Sequence, residues 1–166
     1  MPGFEIDAFV ALDTPPETGE TYLDNARIKA CHARAQAPTD VWVVGEDSGI
    51  EAMALGGRPG VESARWAEDG VSALLGALAT TTDRRVRYVS ELVAISPDGE
   101  ELRCTGTLEG VAADAPSGNE GFGYDPIVIP LGETCTVAQL GDAWKSEHSH
   151  RALAAKALAA KLTPTR

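Results

Sequence analysis

Along the 166-residue chain, apolar and polar positions alternate between two periods, and the changes of period mark the elements. Phe4 to Leu12 reads as a short strand that ends in the loop Asp13-Thr14-Pro15-Pro16. Thr21-Tyr22-Leu23-Asp24 has the form of a capping box, with the threonine hydroxyl accepting from an early amide and Asp24 reaching back. It predicts a helix to about Ala37 with Tyr22, Ala26, Ala30 and Ala33 on its inner stripe. Val41-Trp42-Val43-Val44 is a continuous apolar run, as expected of a strand buried on both faces. Its carboxyl end is expected to deliver Glu46 and Asp47 into a loop, where open α/β sheets carry their chemistry. Gly56 to Gly60 forms a tight loop, and Val71 to about Ala79 a short helix. Arg85–Ser96 and Glu101–Gly110 flank Pro97-Asp98-Gly99 and predict a hairpin. A loop through Gly121 leads to a short strand at Ile127–Ile129, and an alanine-rich helix from about Ser149 to Leu162 closes the chain. Repeats and linkers are absent from the sequence. We therefore expect an α/β fold: one domain over residues 1–166, with a mixed sheet flanked by helices.

Composition narrows the partners. With 43% hydrophobic residues the chain is long and apolar enough for a true core. Its 25 acidic and 14 basic side chains leave a net charge of −11, which disfavours nucleic acid polymers and anionic membranes as partners. An anionic substrate then needs a metal ion or a local cationic pocket. Cys31, Cys104 and Cys135 form neither a C-x-x-C pair nor a disulfide pattern. They are expected to be small buried hydrophobes in a reducing cytoplasm. No apolar run approaches the roughly 18 residues of a membrane span, and Met1 to Asp7 lacks the pattern of an export signal.

Three polar clusters carry candidate chemistry. In Gly45-Glu46-Asp47-Ser48-Gly49, the adjacent acids suit magnesium, which takes one or two carboxylates and completes its shell with water and phosphate. The alternative for Asp47 is a turn-capping acid, and for Asp24 the capping box is a sufficient role. In Gly121-Phe122-Gly123-Tyr124-Asp125-Pro126, glycines surround two large rings, an arrangement that admits a ligand to the backbone and offers a ring face to a base. The alternative is an aromatic anchor beneath a turn. Around the last helix start, Ser149 is a capping residue, and it places His150 and Arg151 where the helix dipole disfavours cations. A cation there points to an anionic or carbonyl partner, or simply to solvent. Lys145 and Arg65 are weaker candidates for anion contacts.

At these residues the chain resembles the inosine/xanthosine triphosphate pyrophosphatase family, enzymes that convert deaminated purine nucleotides to the monophosphate and pyrophosphate. The likeness runs through Glu17-Thr18-Gly19, Thr21, Asn25-Ala26 and Lys29-Ala30, then Asp47-Ser48-Gly49 to Ser63-Ala64-Arg65. It continues through Gly121 to Pro126, Thr136-Val137-Ala138, Lys145 and Ser149-His150-Arg151. The resemblance implies that Asp47 is the catalytic acid and a magnesium ligand and that Asp24 stands at a metal-binding glutamate. By the same resemblance Ser48 contacts substrate, Glu46 replaces a usual aspartate, and Phe122, Gly123, Tyr124 and Asp125 hold the base. It assigns Lys145 to the substrate, and His150 and Arg151 to recognition of the purine 6-oxo group. It further implies a purine nucleoside triphosphate such as ITP, dITP or XTP as substrate, Mg2+ as cofactor and a homodimer.

The likeness begins after the family's first strand and its Thr/Ser-x-Asn-x-x-Lys triphosphate loop. Lys29, the first lysine of the sequence, already belongs to a later motif. A domain lacking that amino-terminal βα unit is therefore expected. Either the true start lies upstream, or the chain is a shortened relative, which keeps open the alternative of a non-catalytic purine-nucleotide-binding protein.

Overall fold

The computed structural model describes Glu5, Asp7 and residues 13–162. The strand expected at Phe4 to Leu12 lies outside the described residues except for Glu5 and Asp7. Helix α1 (Tyr22–Gln36) starts as the capping box predicts: Thr21 Oγ1 accepts from the Asp24 amide at 3.1 Å. Asp24 reaches back to the threonine hydroxyl, which donates to it at 2.7 Å. Tyr22, Asn25, Ala26 and Ala30 are buried, and Ala33 packs at the edge of the same cluster.

Four strands, β1 (Val43–Ala52), β2 (Arg85–Ile95), β3 (Glu101–Ala112) and β4 (Val128–Pro130), form a sheet in chain order. Every pairing among them is antiparallel, with Asp47 opposite Glu91 and Ser90 opposite Gly106. The expected α/β class with flanking helices holds, and so does the hairpin across Pro97-Asp98-Gly99, whereas the sheet expected to be mixed is antiparallel across all its described strands, because each follows its neighbour in chain order. Alternation along the strands sorts side chains to two faces. Val43, Val93 and Ile95 meet α1 on one face. On the other, Leu92, Ala94 and Cys104 meet α4 (His150–Leu162) through Ala154 and Leu158. A larger core joins Ile50, Val86, Tyr88 and Ile127 to α2 (Gly70–Ala77) and α3 (Val137–His148).

Two glycines let the helices approach the backbone. A side chain at Gly45 would overlap the Ala26 carbonyl and lie 2.5 Å from the Ala30 amide nitrogen of α1. One at Gly106 would overlap the His150 carbonyl and lie 2.5 Å from the Ala154 nitrogen of α4. The second contact seats the first turn of α4, with its His-Arg pair, directly on the sheet.

The structure corrects several expectations. The run Val41 to Val44 is not doubly buried: Val43 faces α1, whereas Trp42 and Val44 are 38% and 48% exposed. The reason is that α4 lies across β2 and β3, so the start of β1 is covered on one face only. The strand also runs on to Ala52, so Glu46 and Asp47 sit within β1 and point to opposite faces instead of sharing a loop. Helix α3 was not anticipated, because left-handed Gly141 (φ 83°) interrupts it and breaks the apolar period. A signal was available in Thr136-Val137-Ala138-Gln139, whose ends form a reciprocal capping box. Of the cysteines, Cys104 is buried but Cys31 is exposed.

Candidate active site

On the α1 face of β1, Asp47 is 7% exposed. Lys29 donates to its Oδ1 at 2.8 Å and to the Glu46 carbonyl at 3.0 Å, and Asn25 donates to Oδ2 at 3.3 Å. Glu17, from the loop before α1, takes the same Lys29 ammonium at 2.6 Å and the Arg65 guanidinium at 3.1 Å. Burial lowers the pKa of Lys29, yet its hydrogen bonds to Asp47 and Glu17 outweigh burial and the net shift is upward. The hydrogen bond from Lys29 likewise holds Glu17 below the ordinary carboxylate value. One cation thus sits between two carboxylates.

In the sequence Glu17 stands only as part of the Glu17-Thr18-Gly19 motif, and the family resemblance sets the second metal-binding carboxylate at Asp24. The structure directs Asp24 elsewhere: it caps α1 through Thr21 and faces Arg27 at 3.7 Å, with 44% of its side chain exposed. What separates the two acids is loop geometry, to which a periodicity reading of α1 is blind. Among the described residues no three His, Cys, Asp or Glu side chains form a metal-holding group. The donor set at Asp47 and Glu17 nonetheless fits a hard cation that completes its shell with water and phosphate, since the Lys29 ammonium already occupies the place of a cation between them.

On the opposite face lies a cavity of about 160 Å³. Ser48 and Ile50 of β1, Tyr88 of β2, the Phe122–Asp125 loop, Lys145, His150 and Arg151 contribute to its lining. The elements therefore bring together all the residues expected to meet substrate or base, Ser48, Phe122 to Asp125, Lys145, His150 and Arg151, from four separate stretches of chain. Phe122 is 62% exposed, with the Lys145 ammonium 3.7 Å from its ring centroid and the Arg151 guanidinium carbon at 5.3 Å. The ring is thus largely exposed, with the Lys145 ammonium over one of its faces. Tyr124 has a different environment, because its ring is buried and its hydroxyl donates to the Ser63 carbonyl at 3.0 Å. Asp125 is buried and organises the loop, accepting from the Phe122 amide at 2.8 Å, from Tyr88 at 3.1 Å and from Lys145. Lys145 accordingly stands at the cavity, and the lysine beside Asp47 is Lys29.

The His-Arg pair leaves the helix dipole by different routes. Arg151 donates from Nε to Glu46 at 3.0 Å and from Nη2 to Ser48 at 2.7 Å, and Glu46 also accepts from Ser90. His150 is 5% exposed and stacks on Tyr88 with centroids 4.7 Å apart and planes 9° from parallel. Burial, followed by the neighbouring Arg151 charge, pushes its pKa down to about 4, and its Nδ1 is buried without a hydrogen-bond partner among the described residues. Because the folded value lies below the ordinary 6.5, the unfolded chain takes up the proton first on acidification. The stability tied to a neutral His150 is thus fully present above about pH 6.5 and is lost as pH falls toward 4. An NMR titration of the imidazole is expected to show no protonation down to about pH 5; a midpoint near 6.5 would mean that the ring is solvated.

Residues 3–161 match the Ham1 family. The chain belongs to the Ham1 family. Its relatives include a dITP/XTP pyrophosphatase of Bdellovibrio bacteriovorus, 44% identical over 162 residues that cover 92% of this chain and 81% of the relative. One from Deinococcus radiodurans is 40% identical, over 95% of this chain and 80% of its own length. The solved Staphylococcus aureus Ham1 protein superposes with a TM-score of 0.84 at 39% identity, covering 91% of this chain and 81% of that one. Within this Ham1-family chain the sheet separates an acid–lysine centre on one face of β1 from an aromatic and cationic cavity on the other. No described helix is long and apolar enough to cross a membrane.

Proposed function

We propose that this chain is a nucleoside triphosphate pyrophosphatase that hydrolyses nonstandard purine nucleotides such as ITP, dITP and XTP to the monophosphate and pyrophosphate. The observation that carries this reading is the neutral, buried His150 with an unpartnered ring nitrogen, set beside Arg151 in a cavity roofed by Phe122. Inosine and xanthosine present a 6-oxo acceptor to such donors, whereas adenine presents an amine there. A buried donor left unpaired costs about 1–3 kcal/mol, enough to discriminate between them. The names of the relatives support the same substrate class.

Asp47 and Glu17 are the residues that would hold magnesium, which when bound supplies neutralisation of the phosphate charge. In the proposed reaction Asp47 takes a proton from water as its oxygen bonds to the α-phosphorus. The α–β anhydride bond breaks, and its electron pair leaves with pyrophosphate. Lys29 and Arg65, both paired with Glu17, would offset the charge of the leaving group. Since Asp47 and Ser48 face opposite sides of β1, a nucleotide that uses both passes the strand at this pair. The proposal includes a homodimer, the assembly that the family resemblance implies, in a reducing cytoplasm, which suits three cysteines without a disulfide pattern.

The direct test is pyrophosphate release from ITP, XTP and ATP with magnesium, in the native chain and in Arg151→Ala. A guanidinium has five N–H donors, and the bonds to Glu46 and Ser48 engage two of them. Truncation is expected to lower the ITP-to-ATP ratio of kcat/KM by about tenfold, equivalent to about 1.4 kcal/mol. An unchanged ratio would remove Arg151 from base recognition, and absence of any turnover by the native chain would leave only nucleotide binding.

A further inference from the structure

Tyr88 belongs to none of the motifs of the family resemblance, yet it touches both halves of the cavity. It projects from β2, whose neighbours β1 and β3 hold it on either side. Its ring lies parallel to that of His150, and its hydroxyl donates to Asp125 Oδ1 at 3.1 Å. The other Asp125 oxygen accepts from the Phe122 amide at 2.8 Å and from Lys145. Asp125 is thus pinned from two sides, by the loop and its lysine through Oδ2 and by the sheet through Oδ1. Burial, with the nearby Asp125 charge, raises the Tyr88 pKa well above 10, so the phenol stays a donor at physiological pH.

The geometry points to Tyr88 as a positioning residue for base discrimination, which sets the spacing and tilt between the His150 imidazole and the loop that carries Phe122. This rests on the reading of the cavity as a 6-oxo purine site. A purine must stack on Phe122 and present its edge to His150 and Arg151 at the same time. The two requirements are met together only if the loop and the first turn of α4 keep a fixed relation. Tyr88 is a single side chain, anchored in the sheet, that contacts both. Without its hydroxyl, Asp125 Oδ1 loses its donor from the sheet, and the carboxylate is held by the Phe122 amide and Lys145 alone, so the loop is no longer tied to β2 through it. Without its ring, His150 loses the surface that defines its plane. Phosphate chemistry on the other face of β1 has no contact with Tyr88, so the effect belongs to base binding.

The test compares the full chain with Tyr88→Phe and Tyr88→Leu, measuring kcat and KM for ITP and for ATP with magnesium, together with thermal melting. Tyr88→Phe keeps the ring and most of the volume and removes only the donor. We expect its ITP-to-ATP ratio of kcat/KM to fall about threefold to tenfold, chiefly through a higher KM for ITP, the range that corresponds to one hydrogen bond. Tyr88→Leu removes the stack as well and is expected to fall further; if it fails to fold, Tyr88→Phe decides alone. A lowered melting temperature in Tyr88→Phe with an ITP-to-ATP ratio unchanged within about twofold would overturn the inference and leave Tyr88 a core residue. A native chain with no preference for ITP would overturn the base reading and this inference together, whereas a native preference that survives in Tyr88→Phe overturns this inference alone.

Discussion

Asp47→Asn is expected to reduce turnover of ITP by at least about 10²-fold, the lower range for removal of a group in general acid–base work. The change preserves the shape of the side chain and the possibility of a bond with Asn25, and it removes the charge that meets Lys29 at 2.8 Å. Lys29 keeps Glu17 and the Glu46 carbonyl, so the fold should survive with a modest loss of stability. The neighbouring acids refine the test. Glu17→Gln should lower activity and raise the magnesium concentration needed for half-maximal rate, because Glu17 shares Lys29 with Asp47. Asp24→Asn should do neither beyond the small effect of weakening a cap. Near-normal turnover by Asp47→Asn would displace the reaction from the α1 face of β1, and a loss in Asp24→Asn to match that in Glu17→Gln would return the metal to Asp24.

Lys145→Met should destabilise the protein by about 3 kcal/mol, on the order of 6–12 °C in Tm. Its partner Asp125 is 3% exposed as a side chain, and Lys145 itself only 14%. Removing one member of so buried a pair leaves a carboxylate without its cation, and the remaining donors from Tyr88 and the Phe122 amide are neutral. The ammonium over the Phe122 ring is lost in the same step, which adds the weaker attraction of a cation for a π face. Adding Asp125→Asn to the first change should restore part of the loss, because the uncompensated charge goes with it. Denaturant titration of the single and double variants measures both, and a single variant within about 1 kcal/mol of the native chain would mean that Asp125 does not need Lys145 in the fold.

The local elements were legible in the chain because their causes are local. The capping box at Thr21, the small inner stripe of α1, the turn Pro97-Asp98-Gly99 and the alanine-rich last helix each follow from residues within a few positions of one another. The lining of the cavity was legible in part too, since the Phe122–Asp125 loop and the Ser149-His150-Arg151 start of α4 carry residue types that a plain core does not need. What the sequence by itself determined about this protein is its class, its family and the residue types of the cavity.

Tertiary structure alone decided which acid stands beside Asp47, that Glu46 turns away from it to hold Arg151, and that Tyr88 joins His150 to Asp125. Each of these depends on strand register and helix docking between segments far apart in the chain: Glu17 meets Lys29 across a loop, and Arg151 meets Glu46 because α4 can settle on Gly106. A run such as Glu46-Asp47 looks like one site when read in order. In a strand the pleat sends its members to opposite faces, and the physical reason lies in the alternation of β1, which only its pairing with β2 establishes.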